Sequence, residues 1–275
     1  MRTGLPRTSN AALTSDPPPV LRSTLEGEIA WSDEGPRDAP ALLCLHGIPG
    51  SARDFRYLAP LLSAEFRVIR IELPGFGASP PGRISSIGAW SRVPSAVAAA
   101  LRLEQYLLVG HSFGGATTLP AALYDAPRVC GLILVASAGA RRHRGFAFPP
   151  FVFRWIRVGL AVPGAKGFLA KESMAAFRKL GLPEPRNIDD LRRQLALIGS
   201  IDFSRQGRLA EQIACPVLAF HAPDDPLVEV SVAEEFCARF PRARLTVFED
   251  GGHHLQKTRA REIAAQLART IHEIS

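Results

Sequence analysis

Six short runs of four or five residues recur along this 275-residue chain, at 41–45, 67–71, 106–109, 131–135, 217–220 and 245–248. Most are continuously apolar, like Ala41-Leu42-Leu43-Cys44-Leu45 and Tyr106-Leu107-Leu108-Val109, rather than alternating. Strands buried on both faces of a parallel sheet read this way. Helical patterns lie between the runs. Ser231-Val232-Ala233-Glu234 has the form of a capping box opening a helix through Arg239. Ile263, Leu267 and Ile271 recur every four residues and mark the apolar face of a last helix. The alternation predicts an α/β fold with a mostly parallel central sheet flanked by helices. It breaks once, from about Gly139 to Arg205. There aromatic and aliphatic residues fall at helical spacings (Phe148, Phe151, Val152, Trp155, Ile156, then Phe168, Met174, Phe177, Leu180), punctuated by Gly164, Gly181, Pro183 and Pro185. The expected organisation is a flexible tail over 1–22, a core over 23–138 and 206–275, and a helical cap over 139–205 inserted between two strands.

Composition narrows the function classes. The net charge of +7 comes from arginines scattered along the chain. The densest run, Arg141-Arg142-His143-Arg144, is too short for a nucleic-acid-binding tail, so no nucleic-acid partner is expected. The four cysteines (Cys44, Cys130, Cys215, Cys237) show no spacing suited to zinc and read as buried free thiols. No metal or organic cofactor is implied. Thr3 to Pro19 is rich in Ser, Thr and Pro without an apolar stretch, which speaks against an ordinary secretory signal. No run approaches the roughly 20 apolar residues that span a bilayer. The expectation is a soluble, cytoplasmic protein, monomer or homodimer, acting on a small hydrophobic molecule.

The chemistry centres on Gly110-His111-Ser112-Phe113-Gly114, which sits between a strand run and an Ala-rich helix. A sharp strand-to-helix turn there would lift the Ser112 hydroxyl above the sheet edge. A free serine hydroxyl is a poor nucleophile and needs a neighbouring base. Asp250-Gly251-Gly252-His253-His254 follows the last strand run, and His253 directly follows the glycines that let the chain bend back; His254 packs nearby and His272 lies on the surface. An acid must orient the imidazole. Asp224 and Asp225 both follow the run ending at Phe220; Asp225 leads the loop back toward the next helix, while Asp224 caps the turn. The other position able to supply an acid, after Val135, reads Ala136-Ser137-Ala138-Gly139 and holds none. For an oxyanion, the backbone N–H of Phe113 is one donor and that of Ile48, in the glycine-rich loop His46 to Ser51, is the second. His46 reads as a buried brace of that loop, with substrate contact as its other role. Phe151 and Trp155 of the insertion are candidate pocket residues, although an aromatic stripe at helical spacing also packs.

The stretches His46-Gly47-Ile48-Pro49-Gly50, Leu73-Pro74-Gly75-Phe76-Gly77-Ala78-Ser79, Gly110 to Gly115, Asp225-Pro226-Leu227-Val228 and Gly252-His253 together resemble the α/β-hydrolase superfamily, in its serine-nucleophile branch with a helical cap. The resemblance runs from about residue 24 to the end, outside the cap. It implies a triad of Ser112, Asp225 and His253 and hydrolysis of a carboxylic ester. Alternatives on the same fold are hydrolytic C–C cleavage of a vinylogous diketone and a slow-turnover ligand sensor. Glu72 stands where the family usually has aspartate and keeps the charge. Pro94 implies a kink or restart in the helix before Leu101.

Overall fold

The computed structural model describes residues 16–82, 86–146, 148–179 and 182–271. Eight strands form one sheet: β1 (Val20–Thr24), β2 (Gly27–Glu34), β3 (Ala41–Leu45), β4 (Arg67–Glu72), β5 (Tyr106–His111), β6 (Val129–Val135), β7 (Val217–His221) and β8 (Ala243–Val247). Their order across the sheet is β1-β2-β4-β3-β5-β6-β7-β8. Only the β1–β2 and β2–β4 pairings are antiparallel. All six apolar runs are strands. Their lack of alternation has a direct cause: Leu43 and Leu45 point into a core on one face, while Leu42 and Cys44 point into a second core on the other. Four helices connect the first strands: α1 (Ala59–Leu62), α2 (Ile87–Trp90), α3 (Val93–Ala100) and α4 (Phe113–Tyr124). Another four, α5 (Pro150–Gly159), α6 (Pro163–Lys179), α7 (Ile188–Ile198) and α8 (Phe203–Ala210), lie between β6 and β7. They are followed by α9 (Val230–Cys237), α10 (Leu255–Thr258) and α11 (Ala260–Ile271).

Several expectations need correction. Residues 20–22, read as the end of a mobile tail, are the first half of β1, and Asp16 already contacts the body at 2.7 Å from Arg70. No apolar run announces β1 or β2 because both lie at the antiparallel edge, where β1 is largely exposed. Residues 1–15 lie outside the described residues, as do Leu180, Gly181 and His272. Arg67 and Arg70, which interrupt an apolar run, are buried inside β4. Arg67 donates to both Asp33 oxygens at 3.0 and 2.8 Å, and Arg70 reaches Ser32 at 2.9 Å and Glu34 at 2.8 Å. Buried charges persist when paired in this way. Ser231 is not an N-cap: the helix begins at Val230 after Glu229, and the Ser231 hydroxyl accepts from Arg141 at 2.9 Å. Pro94 stands in the first turn of α3, after α2 has ended at Trp90, so the helix restarts there.

Candidate active site

Ser112 is the single residue between β5 and α4, with φ 54° and ψ −119°. This left-handed backbone is strained for a residue with a Cβ. Its neighbours hold it there. The Ser112 N–H donates to the Val135 carbonyl at 3.0 Å, and its carbonyl accepts from Gly115 at 3.0 Å and Ala138 at 3.3 Å. The turn is tight enough to require glycine on both sides. A Cβ at Gly110 would lie 2.6 Å from the Gly115 Cα, and one at Gly114 would lie 2.2 Å from the Leu45 carbonyl oxygen.

The structure brings Ser112, His253 and Asp225 together. Asp225 follows β7 and His253 follows β8, so both loops rise at the same sheet edge as the turn after β5. His253 Nδ1 lies 2.8 Å from Asp225 Oδ2, and His253 Nε2 lies 2.8 Å from Ser112 Oγ. The other Asp225 oxygen accepts the Leu227 and Val228 N–H groups at 2.8 and 3.0 Å. Burial alone would push the Asp225 carboxyl up, but the bond and charge of His253 and the two amides outweigh it and leave its pKa below the usual range. Asp225 is therefore an ionised acceptor. In the neutral imidazole, Nδ1–H donates to that carboxylate and Nε2 accepts the Ser112 O–H.

Asp224, expected to cap its own turn, instead holds a second loop. Its carboxylate accepts from Gly251 at 3.1 Å and Gly252 at 2.9 Å, which ties the His253 loop to the Asp225 loop. Both glycines have positive φ (139° and 64°). Around His253, the rings of His111 and His254 lie 5.0 and 5.6 Å away, centroid to centroid. Burial, then the charge of His253, drives the His111 pKa well below its ordinary value; burial and Lys257 push His254 down to about 4. The two neighbours are neutral at neutral pH. His111 Nε2–H donates to the His253 carbonyl at 2.9 Å and helps fix that residue's backbone.

Ile48 and Phe113 line the cavity above Ser112 and His253. Phe113 opens α4, so its N–H has no intrahelical acceptor, and neither it nor the Ile48 N–H donates to a protein acceptor among the described residues. His46 braces this loop. Its Nδ1–H donates to the Gly47 carbonyl at 2.7 Å and its Nε2 accepts from Leu73 at 3.1 Å, so both nitrogens are occupied, and it is absent from the cavity wall. Its second expected role, substrate contact, is therefore corrected. Glu72 braces the neighbouring turn: its carboxylate accepts the Ala78 N–H and fills the space where a Gly77 Cβ would stand.

The cavity holds about 600 Å³ and is walled by Phe146, Phe153, Ile156, Leu195, Ile198 and Leu227. Phe151 and Trp155 are not part of it, which corrects a second expectation. At 100° per residue along α5, Phe153, Ile156 and Leu160 share the inward side, and Phe151 and Trp155 fall on the opposite one, 60% and 69% exposed. His143 was missed by sequence reasoning, which read it as part of a basic run. It lines the cavity, buried, with Nδ1–H donating to the Leu227 carbonyl at 2.8 Å. No local signal could have revealed it, since its partner is 84 residues away. Among the described residues there is no cluster suited to a metal ion and no helix long and apolar enough to cross a membrane.

The sequence pattern described as the alpha/beta hydrolase family matches residues 42–266. The magnesium-chelatase 30 kDa subunit of Rhodobacter capsulatus is 30% identical over 85% of this chain and 88% of its own. The pimeloyl-[acyl-carrier protein] methyl ester esterase of Edwardsiella ictaluri is 30% identical, covering 80% of this chain and 87% of its own. Against the dihydrolipoyllysine-residue acetyltransferase component of an acetoin cleaving system from Pseudomonas putida, 28% identical, the chain spans 65% of the relative's length. Among solved structures, a thermophilic esterase from Thermogutta terrifontis superposes with a TM-score of 0.70 at 21% identity, covering 93% of this chain and 98% of that one.

Proposed function

The chain belongs to the alpha/beta hydrolase family, and on that premise we propose that it is a serine hydrolase cleaving a small or medium hydrophobic carboxylic ester through an acyl-enzyme. The observation that carries this reading is the unbroken hydrogen-bonded line from Asp225 through His253 to Ser112, ending at an apolar cavity. Ser112 Oγ attacks the ester carbonyl while its proton passes to His253 Nε2. The imidazolium is stabilised by the Asp225 carboxylate. The Ile48 and Phe113 amides hold the oxyanion. As the tetrahedral intermediate collapses, His253 returns the proton to the departing alkoxide, releasing the alcohol and leaving Ser112 acylated. Water, deprotonated by the same imidazole, attacks the acyl group; the acid leaves and Ser112 regains its proton.

Residues 139–205 act as a cap that supplies most of the cavity wall, with α5, α6 and α7 contributing and α8 not. A volume of about 600 Å³ falls within the roughly 300–1,000 Å³ of small-molecule sites. The predominance of phenylalanine, leucine and isoleucine favours a hydrophobic acyl or alkyl group. The relative named as a methyl ester esterase supports ester chemistry, which we carry to this chain as part of the proposal. A panel of p-nitrophenyl esters of increasing chain length tests it. Wild type should hydrolyse short to medium chains, a fluorophosphonate should label Ser112, and Ser112→Ala should abolish both. Labelling without hydrolysis of any ester would transfer the proposal to C–C cleavage of a vinylogous diketone or to a ligand sensor. Failure to label Ser112 would overturn the triad.

A further inference from the structure

The outer face of the cap is apolar where a soluble surface would be expected to be polar. Phe151, Trp155 and Val158 recur at i, i+4 and i+7 on α5 and are all exposed. Phe148 just before the helix and Val162 just after it are exposed as well, as is Phe168 on α6 at 67%. The same helix turns Phe153 and Ile156 inward to the cavity. It is thus apolar on both sides, a pattern that belongs to a helix covered on both sides. Phe148 belongs to both surfaces, since it lines the cavity and is exposed. The exposed stripe is therefore continuous with the mouth of the cavity.

Charge indicates what covers it. Between Asp125 and Glu172 the chain contains no Asp or Glu, but it has eight Arg or Lys residues. Arg154 and Arg157 flank Trp155 on α5, and both are exposed. Together with Lys166 and Lys171 on α6, they have no carboxylate within 4 Å among the described residues, whereas Arg141 and Arg144 pair with Glu235 and Glu229. Aromatic rings interleaved with unpaired cations match an anionic bilayer interface. The rings enter the headgroup boundary while the guanidinium and ammonium groups stay with the phosphates. A protein partner of ordinary composition would be expected to set carboxylates against these cations, leaving the ring stripe without that match.

We propose that α5 and its flanking residues dock this protein on anionic phospholipid bilayers, with the mouth of the cavity facing the membrane. Delivery of a bilayer-dissolved ester into the cavity rests on the esterase reading; docking itself does not.

Flotation with vesicles of 30 mol% phosphatidylglycerol in phosphatidylcholine, without substrate, tests docking. Binding should be at least tenfold tighter than to pure phosphatidylcholine, weaken on raising salt from 0.1 to 0.5 M, and fall at least tenfold in Phe151→Ser/Trp155→Ser. That variant should hydrolyse a soluble p-nitrophenyl ester at the wild-type rate, which shows it is folded and reads the esterase proposal separately. No binding at millimolar lipid would overturn the inference, as would binding that the double substitution leaves unchanged. A concentration-dependent dimer lost in the variant, with no vesicle binding, would assign the face to a second copy of the chain and overturn it equally.

Discussion

Replacing Asp225 by asparagine swaps one carboxylate oxygen for an amide, and the structure dictates which one. Oδ1 accepts two backbone N–H groups, from Leu227 and Val228. An asparagine must keep its carbonyl oxygen there, because its NH₂ would face two donors and leave all three unpaired. The NH₂ then points at His253 Nδ1, where Oδ2 now sits 2.8 Å away. The imidazole can accept that hydrogen only by moving its own to Nε2. Nε2–H then faces Ser112 Oγ across 2.8 Å and can no longer take its proton. The wrong tautomer produced by this kind of change is associated with a loss of about 10⁴ in kcat in a serine protease, or about 5.4 kcal/mol of barrier. Asp225→Asn should therefore lose about that factor on a p-nitrophenyl ester while its fluorophosphonate labelling slows in parallel. The fold should persist, since size and hydrogen-bond count are kept, and a thermal melt checks this. Asp224→Asn is the control: that carboxylate accepts from the Gly251 and Gly252 amides and does not reach the His253 ring, and its replacement should stay within about tenfold of wild type. An Asp225→Asn enzyme within tenfold of wild type, or an Asp224→Asn enzyme as dead as expected for Asp225→Asn, would refute the assignment of the acid.

Two further outcomes follow from the same structure. Gly114→Ala puts a Cβ 2.2 Å from the Leu45 carbonyl and 2.6 Å from that of His46, both backbone atoms that no rotamer change can move. Denaturant unfolding should show a loss of about 3 kcal/mol or more, against a gain of roughly 0.5–1 kcal/mol for Gly167→Ala inside α6, where a Cβ meets nothing within 4 Å. Equal effects of the two changes would contradict the close packing at the elbow. Acid should weaken the fold earlier than its carboxylates alone would require. Burial lowers the pKa of His46 and His111, and His254 falls to about 4. Each then binds fewer protons folded than unfolded, so the stability it contributes is complete above about pH 6.5 and is lost as pH falls toward the folded values. Buried carboxylates held down, such as Asp33 and Asp225, act only below about pH 4. Urea midpoints should fall between pH 7 and pH 5, and a flat profile over that range would show that these imidazoles are not held neutral.

The sheet interior was legible because burial on both faces narrows the choice of residue: every position of β3, and of β5 from Tyr106 to Gly110, is apolar or small. The edge was not. β2 carries Asp33 and Glu34, whose burial depends on Arg67 and Arg70 of a strand more than 30 residues away, and no local pattern encodes such a pairing. The elbow and the His253 loop were legible for the opposite reason, since unusual backbone forces glycine at fixed offsets. The cavity wall was not, because which side of α5 faces inward depends on where α7 lies. Phase along a helix is visible in sequence; direction is not, and Phe151 and Trp155 were assigned to the wrong side on that account.

The absence of an acid at position 137, after β6, has a physical basis. In the sequence, Ala136-Ser137-Ala138 merely lacked a carboxylate. In the structure these residues clamp the elbow: Ala138 donates to the Ser112 carbonyl, and the end of β6 receives the Ser112 N–H. Ser137 is pressed so close to α4 that a Cβ on Gly115 would stand 2.4 Å from its hydroxyl. A larger acid at 137 would drive into Gly115 and lift the first turn of α4, and with it the Phe113 amide. The same tightness that strains Ser112 into place leaves no room for a larger side chain at position 137. The proposed acid, Asp225, stands one strand outward, after β7, where its carboxylate turns one oxygen back on two amides of its own loop and presents the other to His253.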